Sequence, residues 1–338
     1  RTVALGTKLA PEFACFPLKV NLGNYIEAIE LGADAILMAG GVGPCRFGYY
    51  GEVQREILRT VGYELEFLVL EAPKTHPHEL WQKLRRYFPR HHLPDLGRAI
   101  YMAWLKAEAL DRFDREANRI RSLEEWSGTV SGLQDRFYRR LDQATAVAEI
   151  RSVFARAQAE LKAVAQRSLE IKLQVMLVGE IYMVLEPRVN FQIERLLGEM
   201  GIAVERSIYF TDWVRNQLLF SIINPGWRKQ LHQLARPYLN NFVGGHGLET
   251  VAHTVAAGSN RYDGVIQLAP FTCMPEIVAM QVLPTVSREL GIPVLSIIID
   301  EHAAEVGVQT RLEAFCDLLL YRKRQRLGGK GLEIVSGY

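Results

Sequence analysis

Short apolar runs alternate with amphipathic stretches along most of this chain, and that alternation leaves few folds open to it. DAILMAG (34–40), ELEFLVLE (64–71), LQVMLVGEIY (173–182), DGVIQLAPF (263–271) and PVLSIIID (293–300) read as strands buried on both faces. Between them, residues 22–31, 50–61, 189–200, 246–257, 275–290 and 310–326 have the spacing of helices. Strand and helix in turn predict an α/β fold with parallel sheets covered on both sides. The opening RTVALGTKL also reads as a strand, so the chain is expected to continue upstream of Arg1.

One segment departs from this pattern. From Asp95 to Glu186 there is no proline, and Arg, Glu, Ala and Leu are dense. Val147, Ile150, Phe154, Ala157, Leu161 and Val164 recur every three or four residues, as do Ile100, Trp104, Ala107 and Leu110, so each set marks one stripe of a helix. GTVSG (128–132) is the expected break between helices. The division is therefore a first α/β lobe over 1–90, a helical segment packed on the lobes over 91–172, and a second α/β lobe over 173–338.

With 338 residues the chain can supply two ordinary cores. Its net charge of +2, from 40 basic and 38 acidic side chains, gives no field that would draw nucleic acid or an anionic membrane. The one basic run, Arg322 to Arg326, closes an apolar helix before Gly328-Gly329, where cations complement the helix dipole. No run approaches 18 apolar residues and no signal peptide is evident, so a cytoplasmic, soluble protein is expected.

Four cysteines without a close pair do not make a disulfide framework. Cys45 follows a predicted strand within AGGVGPCRFGYYGEVQ, among glycines that let backbone approach a bulky group. Cys273, in LAPFTCMPE, lies just past another strand, with Pro275 placed to open a helix whose dipole favours a thiolate. Cys15, in APEFACFPLKVNLGNY, precedes a helix expected to be capped by Asn21. In open α/β sheets ligands collect beyond the carboxyl ends of the strands, so three cysteines in three such loops point to a shared crevice between the lobes. Cys316 sits among leucines and phenylalanine in LEAFCDLLLY and reads as a small buried hydrophobe. Iron, zinc and a phosphate held by GGVGPCRFG all remain candidate occupants, although the glycine loop lacks both common nucleotide fingerprints.

Around these thiols, Glu276 in the first turn after Cys273 and His246 in GGHGLE are candidate proton-transfer groups. Arg46 and Lys19 are candidates for neutralising charge at the site, and Asp300, Glu301 and Arg311 lie near the carboxyl end of the last strand. His91-His92 and the pair His76 and His78 sit in polar, proline-bearing stretches and are expected to face solvent.

ACFPLK, GGVGPCRFGYYGEVQ, PFTCMPE, GIPVLSIIIDEH and TRLEAF, in this order, resemble the 2-hydroxyacyl-CoA dehydratase component family, in particular its activase-associated branch. The resemblance implies two flavodoxin- or Rossmann-like lobes, dimeric assembly as a homodimer or heterodimer, and a four-iron four-sulfur cluster on Cys15, Cys45 and Cys273. With three protein ligands, one iron stays open to water or substrate. The resemblance further implies a partner, an ATP-hydrolysing activase with its own iron–sulfur cluster, that injects one low-potential electron. Relatives dehydrate a 2-hydroxyacyl-CoA through a ketyl radical, or carry double-cubane clusters and reduce small molecules. Three thiolates are fewer than a double cubane needs, and the chain shows no coenzyme-A signature, so the acyl-CoA substrate is expected from fold and cluster alone. An activase fused upstream would explain the start at Arg1. The alternative is a non-catalytic iron–sulfur electron carrier or scaffold.

Overall fold

Parallel sheets are what the alternating pattern demands, and the computed structural model has two of them. It describes residues 1–41, 44–70, 93–168, 172–216, 226–260 and 262–327. The expected histidine loops at 76–78 and 91–92, Gly43 of the glycine-rich loop and the Gly328-Gly329 stop lie outside those residues.

The first lobe runs α1 (Thr2–Leu9), α2 (Phe16–Glu30), β1 (Ala35–Ala39), a 3-10 turn (Arg46–Tyr49), α3 (Tyr50–Thr60) and β2 (Glu66–Leu70). β1 and β2 pair in parallel across the α3 crossover, with Leu37 opposite Leu68. RTVALGTKL is thus a helix, not a strand. A short apolar run fits either element, and tertiary packing chooses: as α1 it sends Val3 toward the second-lobe core while Leu5 and Leu9 join the first. Asn21 is inside α2; the helix starts six residues earlier than expected, with Cys15 at its N-cap and Pro17 in its first turn.

α2 is buried on opposite sides by different neighbours. Phe16 and Val20 enter the core of the second lobe, whereas Leu18, Leu22 and Ile26 enter that of the first. Lys19, 3% exposed, pairs with Glu301 of the second lobe. The crossing of α1 over α2 is set by two glycines: a Cβ at Gly23 would stand 1.9 Å from the Thr2 carbonyl oxygen, and one at Gly6 would stand 1.6 Å from that of Lys19.

The helical segment forms α4 (Leu93–Arg121), α5 (Thr129–Gln143) and α6 (Val147–Lys162). The stripe on α6 holds, with Ile150, Ala157 and Leu161 buried. On α4 the buried stripe is Ala109, Phe113, Ala117 and Ile120, whereas Ile100 is 61% exposed. The break falls at 122–128, so only Gly128 of GTVSG belongs to it, because the Glu124 carboxylate accepts the N–H groups of Gly128 (2.8 Å) and Val130 (2.7 Å) and so starts α5 at Thr129.

The second lobe contains β3 (Leu173–Gly179), α7 (Ile181–Leu185), α8 (Ile193–Glu199), β4 (Ile202–Arg206), α9 (Phe210–Val214), α10 (Gly226–Ala235), α11 (Gly247–Ser259), β5 (Gly264–Pro270), α12 (Met274–Leu290), β6 (Val294–Ile299) and α13 (Glu305–Arg326). Its sheet is parallel throughout, in the order β4-β3-β5-β6. β4 escapes the sequence pattern because IAVER, at an end of this sheet, alternates buried and half-exposed positions instead of forming an apolar run. The helical segment is pinned to this lobe by Arg206, 4% exposed, which reaches Asp114 of α4 (3.0 Å) and Glu194 of α8 (3.2 Å). Among the described residues no helix is long and apolar enough to cross a membrane.

Because Gly23 allows no Cβ, Gly23→Ala is expected to cost about 2 kcal/mol through forced separation of α1 and α2. Gly97 of α4 has open space around it, and Gly97→Ala is expected to add about 0.5–1 kcal/mol. Urea unfolding midpoints of the two variants check both signs.

Candidate functional site

Each of the three predicted cysteines occupies the residue at which a helix begins. Cys15 is the N-cap of α2, Cys45 that of the 3-10 turn leading into α3, and Cys273 that of α12. Two of them share a local sequence, Cys15-Phe16-Pro17 and Cys273-Met274-Pro275, in which proline occupies the first helical turn where no amide hydrogen is needed. Cys45 and Cys273 follow strands as expected; Cys15 instead follows helix α1.

The three loops meet at one carbonyl. Phe13, two residues before Cys15, accepts from Arg46 Nη1 at 2.6 Å and from the Thr272 hydroxyl at 3.1 Å. The donors are the neighbours of Cys45 and Cys273, so one backbone oxygen ties all three cysteine loops together. Thr272 holds φ at 63°, a conformation that a β-branched residue adopts only when its surroundings enforce it. The Gly244-Gly245 turn closes another side. A Cβ at Gly244 would lie 2.7 Å from the Cys45 amide nitrogen, and one at Gly245 would lie 3.7 Å from the Cys45 sulfur and 3.2 Å from Pro275. With φ values of 87° and 45°, both glycines let second-lobe backbone seat directly on the first-lobe cysteine.

Burial dominates the electrostatics. It pushes all three thiols above their ordinary range, Cys273 most strongly, and this outweighs first-turn amides at Leu18, Phe47 and Glu276 that favour the thiolates. Tyr50, 3% exposed, contacts the Cys15 sulfur through its hydroxyl, and burial together with Cys15 holds the phenol neutral. A charge on Cys45 would raise Cys15, and one on Cys15 would raise Cys273, so the thiols disfavour one another's ionisation.

Two acids sit beside the thiols. Glu276 is fully buried; the Thr250 hydroxyl lies 3.1 Å from each of its oxygens, Gln267 Nε2 donates at 2.9 Å, and burial raises it to about 8. Its carboxyl is therefore turned into the lobe and locked there. Glu180, which no sequence motif singles out, directly follows β3 and caps α7, accepting from the Met183 amide at 3.0 Å. Its own amide donates to the Leu268 carbonyl of β5 at 3.1 Å, which sets it where the chain order of the sheet reverses between β3 and β5. Glu180 keeps some exposed surface, yet desolvation raises it to about 7. The apolar run LQVMLVGEIY predicts a strand through Glu180 to Tyr182, but β3 ends at Gly179 and Ile181 opens α7, so the run hides this acid.

The remaining predicted residues are placed less centrally. His246 caps α11 with its Nε2 3.8 Å from Glu249, but burial and His253 lower it to about 4 while burial raises Glu249 to about 7, so this is no ion pair at neutral pH. The Arg46 side chain turns outward to the Phe13 carbonyl and ring, and the charge of Lys19 is met by Glu301. Asp300 accepts the His302 amide, and Arg311 donates to the Ser296 carbonyl at 2.7 Å, tying α13 to the sheet. Cys316 packs beside the second-lobe core and burial pushes it up to about 12.

Compared with known proteins, the chain matches no family model and no curated sequence. Among the described residues no three His, Cys, Asp or Glu side chains converge on one point as a single ion requires. A four-iron cube would take each thiolate at a separate corner, so the donor set it needs is three cysteines on separate loops. Soft donors on three chain segments, backbone seated against one of them and no built-in cation fit that group.

The raised carboxyls give the metal-free protein a definite pH dependence. Groups whose folded pKa exceeds the unfolded value stabilise below the unfolded pKa and lose that contribution as pH rises through the folded one. With Glu180 and Glu249 near 7 and Glu276 near 8, the urea midpoint is expected to fall from pH 6.5 to 8. His246 and His253, lowered from 6.5 to about 4, act mainly below that window and only soften the fall at its start, and Glu276→Gln should flatten the slope.

Proposed function

We propose that this chain is the iron–sulfur component of an activase-dependent, low-potential reductase or 2-hydroxyacyl-CoA dehydratase system. The observation that carries the proposal is the shared anchoring of the three cysteine loops on the Phe13 carbonyl, with Cys45 seated against Gly245. Cys15, Cys45 and Cys273 hold the four-iron cluster. Its positive iron core supplies the charge that converts buried thiols to thiolates, and its open iron supplies single-electron chemistry.

The protein's own groups then have separable tasks. Glu276, locked by Thr250 and Gln267, fixes the first turn of α12 and with it the cap position of Cys273. Tyr50 packs on Cys15 and keeps water from its sulfur. His246, neutral at pH 7, and Glu180 are the proton-transfer groups. Arg46 holds the loops through the Phe13 carbonyl, and Lys19 holds the lobes with its charge met by Glu301.

The outer face of the site supports a docking partner for electron delivery. Phe13 (68% exposed), Tyr49, Phe271, Met274 and Ile277 each lie within four residues of one of the three cysteines and stand exposed. An activase delivering one electron would seat there.

Anaerobic purification is expected to yield about four iron and four sulfide per chain, with an electron paramagnetic resonance signal after dithionite reduction. Cys45→Ala and Cys273→Ala should lose the cluster absorbance, and Cys316→Ala should keep it. A preparation without iron, or undiminished absorbance in the first two variants, rejects the proposal. Turnover of a 2-hydroxyacyl-CoA with activase and ATP separates an enzyme from a carrier.

A further inference from the structure

The three thiols are not equivalent, because one of them has a side-chain partner. Each sulfur is met by an amide of the helical turn that it starts, that of Leu18, Phe47 or Glu276. Cys15 has in addition the Tyr50 hydroxyl in hydrogen-bond contact with its sulfur. Among the described residues no other side chain hydrogen-bonds any of the three sulfurs.

Tyr50 is fixed in that contact from several sides. It opens α3 and is 3% exposed, within the first-lobe core that also holds Leu18 and Leu22 of α2 and Ile36 and Met38 of β1. Its ring meets Phe47 edge-on, with centroids 5.2 Å apart and planes at 66°. The next residue, Gly51, seats α3 on the sheet, since a Cβ there would stand 2.6 Å from Cγ2 of Val69 in β2. The hydroxyl therefore has no room to turn away to water, and the Cys15 sulfur is its acceptor.

The direction of the bond follows from protonation. With a free thiol either atom can donate, but a sulfur that ligates a metal carries no proton, so the phenol O–H alone can then donate. A phenol ionises at about 10 in water, and burial pushes Tyr50 higher, so the proton stays on its oxygen. A hydrogen bond to an ionised acceptor is stronger than one between neutral groups, and more so where water is excluded. Such a donor favours whichever state puts more negative charge on the acceptor.

We propose that Tyr50 tunes the reduction potential of the group held by Cys15, Cys45 and Cys273: its O–H donates to the Cys15 thiolate and stabilises the one-electron-reduced state relative to the oxidised one. Tyr50 acts through Cys15 and is a positioning residue. The electron comes from a low-potential donor, and no covalent bond forms or breaks, because the phenolic proton remains on oxygen in both states. The inference rests on the iron–sulfur function proposed above.

The test is potentiometric titration of the anaerobically prepared, iron-loaded protein with dithionite, read by paramagnetic resonance. Tyr50→Phe keeps the ring and removes the donor, and it should lower the midpoint by roughly 59 mV, a tenfold shift in the one-electron equilibrium. Simple loosening would let water donate to the sulfur instead and would not lower it. Replacing Tyr50 with 3-fluorotyrosine keeps the hydroxyl and makes it a stronger donor, so the midpoint should rise; this variant decides the matter if Tyr50→Phe does not load iron. Tyr25→Phe deletes a phenol packed against the same core, edge-on to Phe67, and should leave the midpoint unchanged. An unchanged or raised midpoint in Tyr50→Phe, a midpoint with 3-fluorotyrosine no higher than that of the wild type, or an equal fall in Tyr25→Phe overturns the inference. Absence of iron from the wild-type protein would instead reject the function on which it rests.

Discussion

Helix α2 is the member on which the arrangement depends, because it is buried by two cores at once. Phe16 and Val20 are solvated by the second lobe, and Leu18, Leu22 and Ile26 by the first. A helix buried on both sides cannot shift along its axis without opening one core or the other. Its first residue is preceded by Cys15, so the same burial that joins the lobes fixes one sulfur of the candidate site. The Lys19–Glu301 pair sits in this joint with almost no exposure on the lysine. Such a pair discriminates among registers more than it stabilises, since desolvation offsets much of its attraction.

From that joint the site follows by convergence of helix starts. Cys15, Cys45, Cys273, Glu180 and His246 all cap helical turns. A cap residue lies outside the helix with its side chain free to face a common space, while proline or a hydrogen-bonded carboxylate fixes the turn behind it. The Phe13 carbonyl then sets the mutual spacing of three loops, and Thr272 holds a backbone conformation that only this closure explains. Desolvation of everything inside gives the cleft its electrostatic character, in which acids and thiols hold their protons until a positive group or a change of charge releases them.

Much of this architecture is legible in the amino-acid sequence. The five apolar runs are strands, but only β5 and nearly all of β3 are buried on both faces, whereas β1 alternates exposed and buried positions because its two-stranded sheet is covered on one face, and the amphipathic stretches are the helices between them. Cys45 and Cys273 stand out because each lies just after such a run beside glycine or proline. The departures have identifiable reasons. RTVALGTKL is short enough to suit a strand or a helix, and the contact of Gly6 and Gly23 between α1 and α2 decides for helix. IAVER lacks the apolar run of a central strand because β4 lies at an end of its sheet. Glu180 gives no local sign, since the apolar run LQVMLVGEIY continues past it and only the structure ends β3 at Gly179.

The sequence by itself determined which five apolar runs are strands, that Cys45 and Cys273 lie just past two of them beside glycine or proline, and that Cys316 lies within a late helix. These are properties of residues and near neighbours, expressed through periodicity and local conformational preference. Only the tertiary structure decided that the three cysteine loops share the Phe13 carbonyl, that Glu276 is locked inward by Thr250 and Gln267, that Lys19 is matched by Glu301, and that Glu180 ends up desolvated at the start of α7. Those outcomes depend on partners as far as 282 positions apart in the chain, and on how far burial strips water from each charge, a quantity no local stretch of sequence contains.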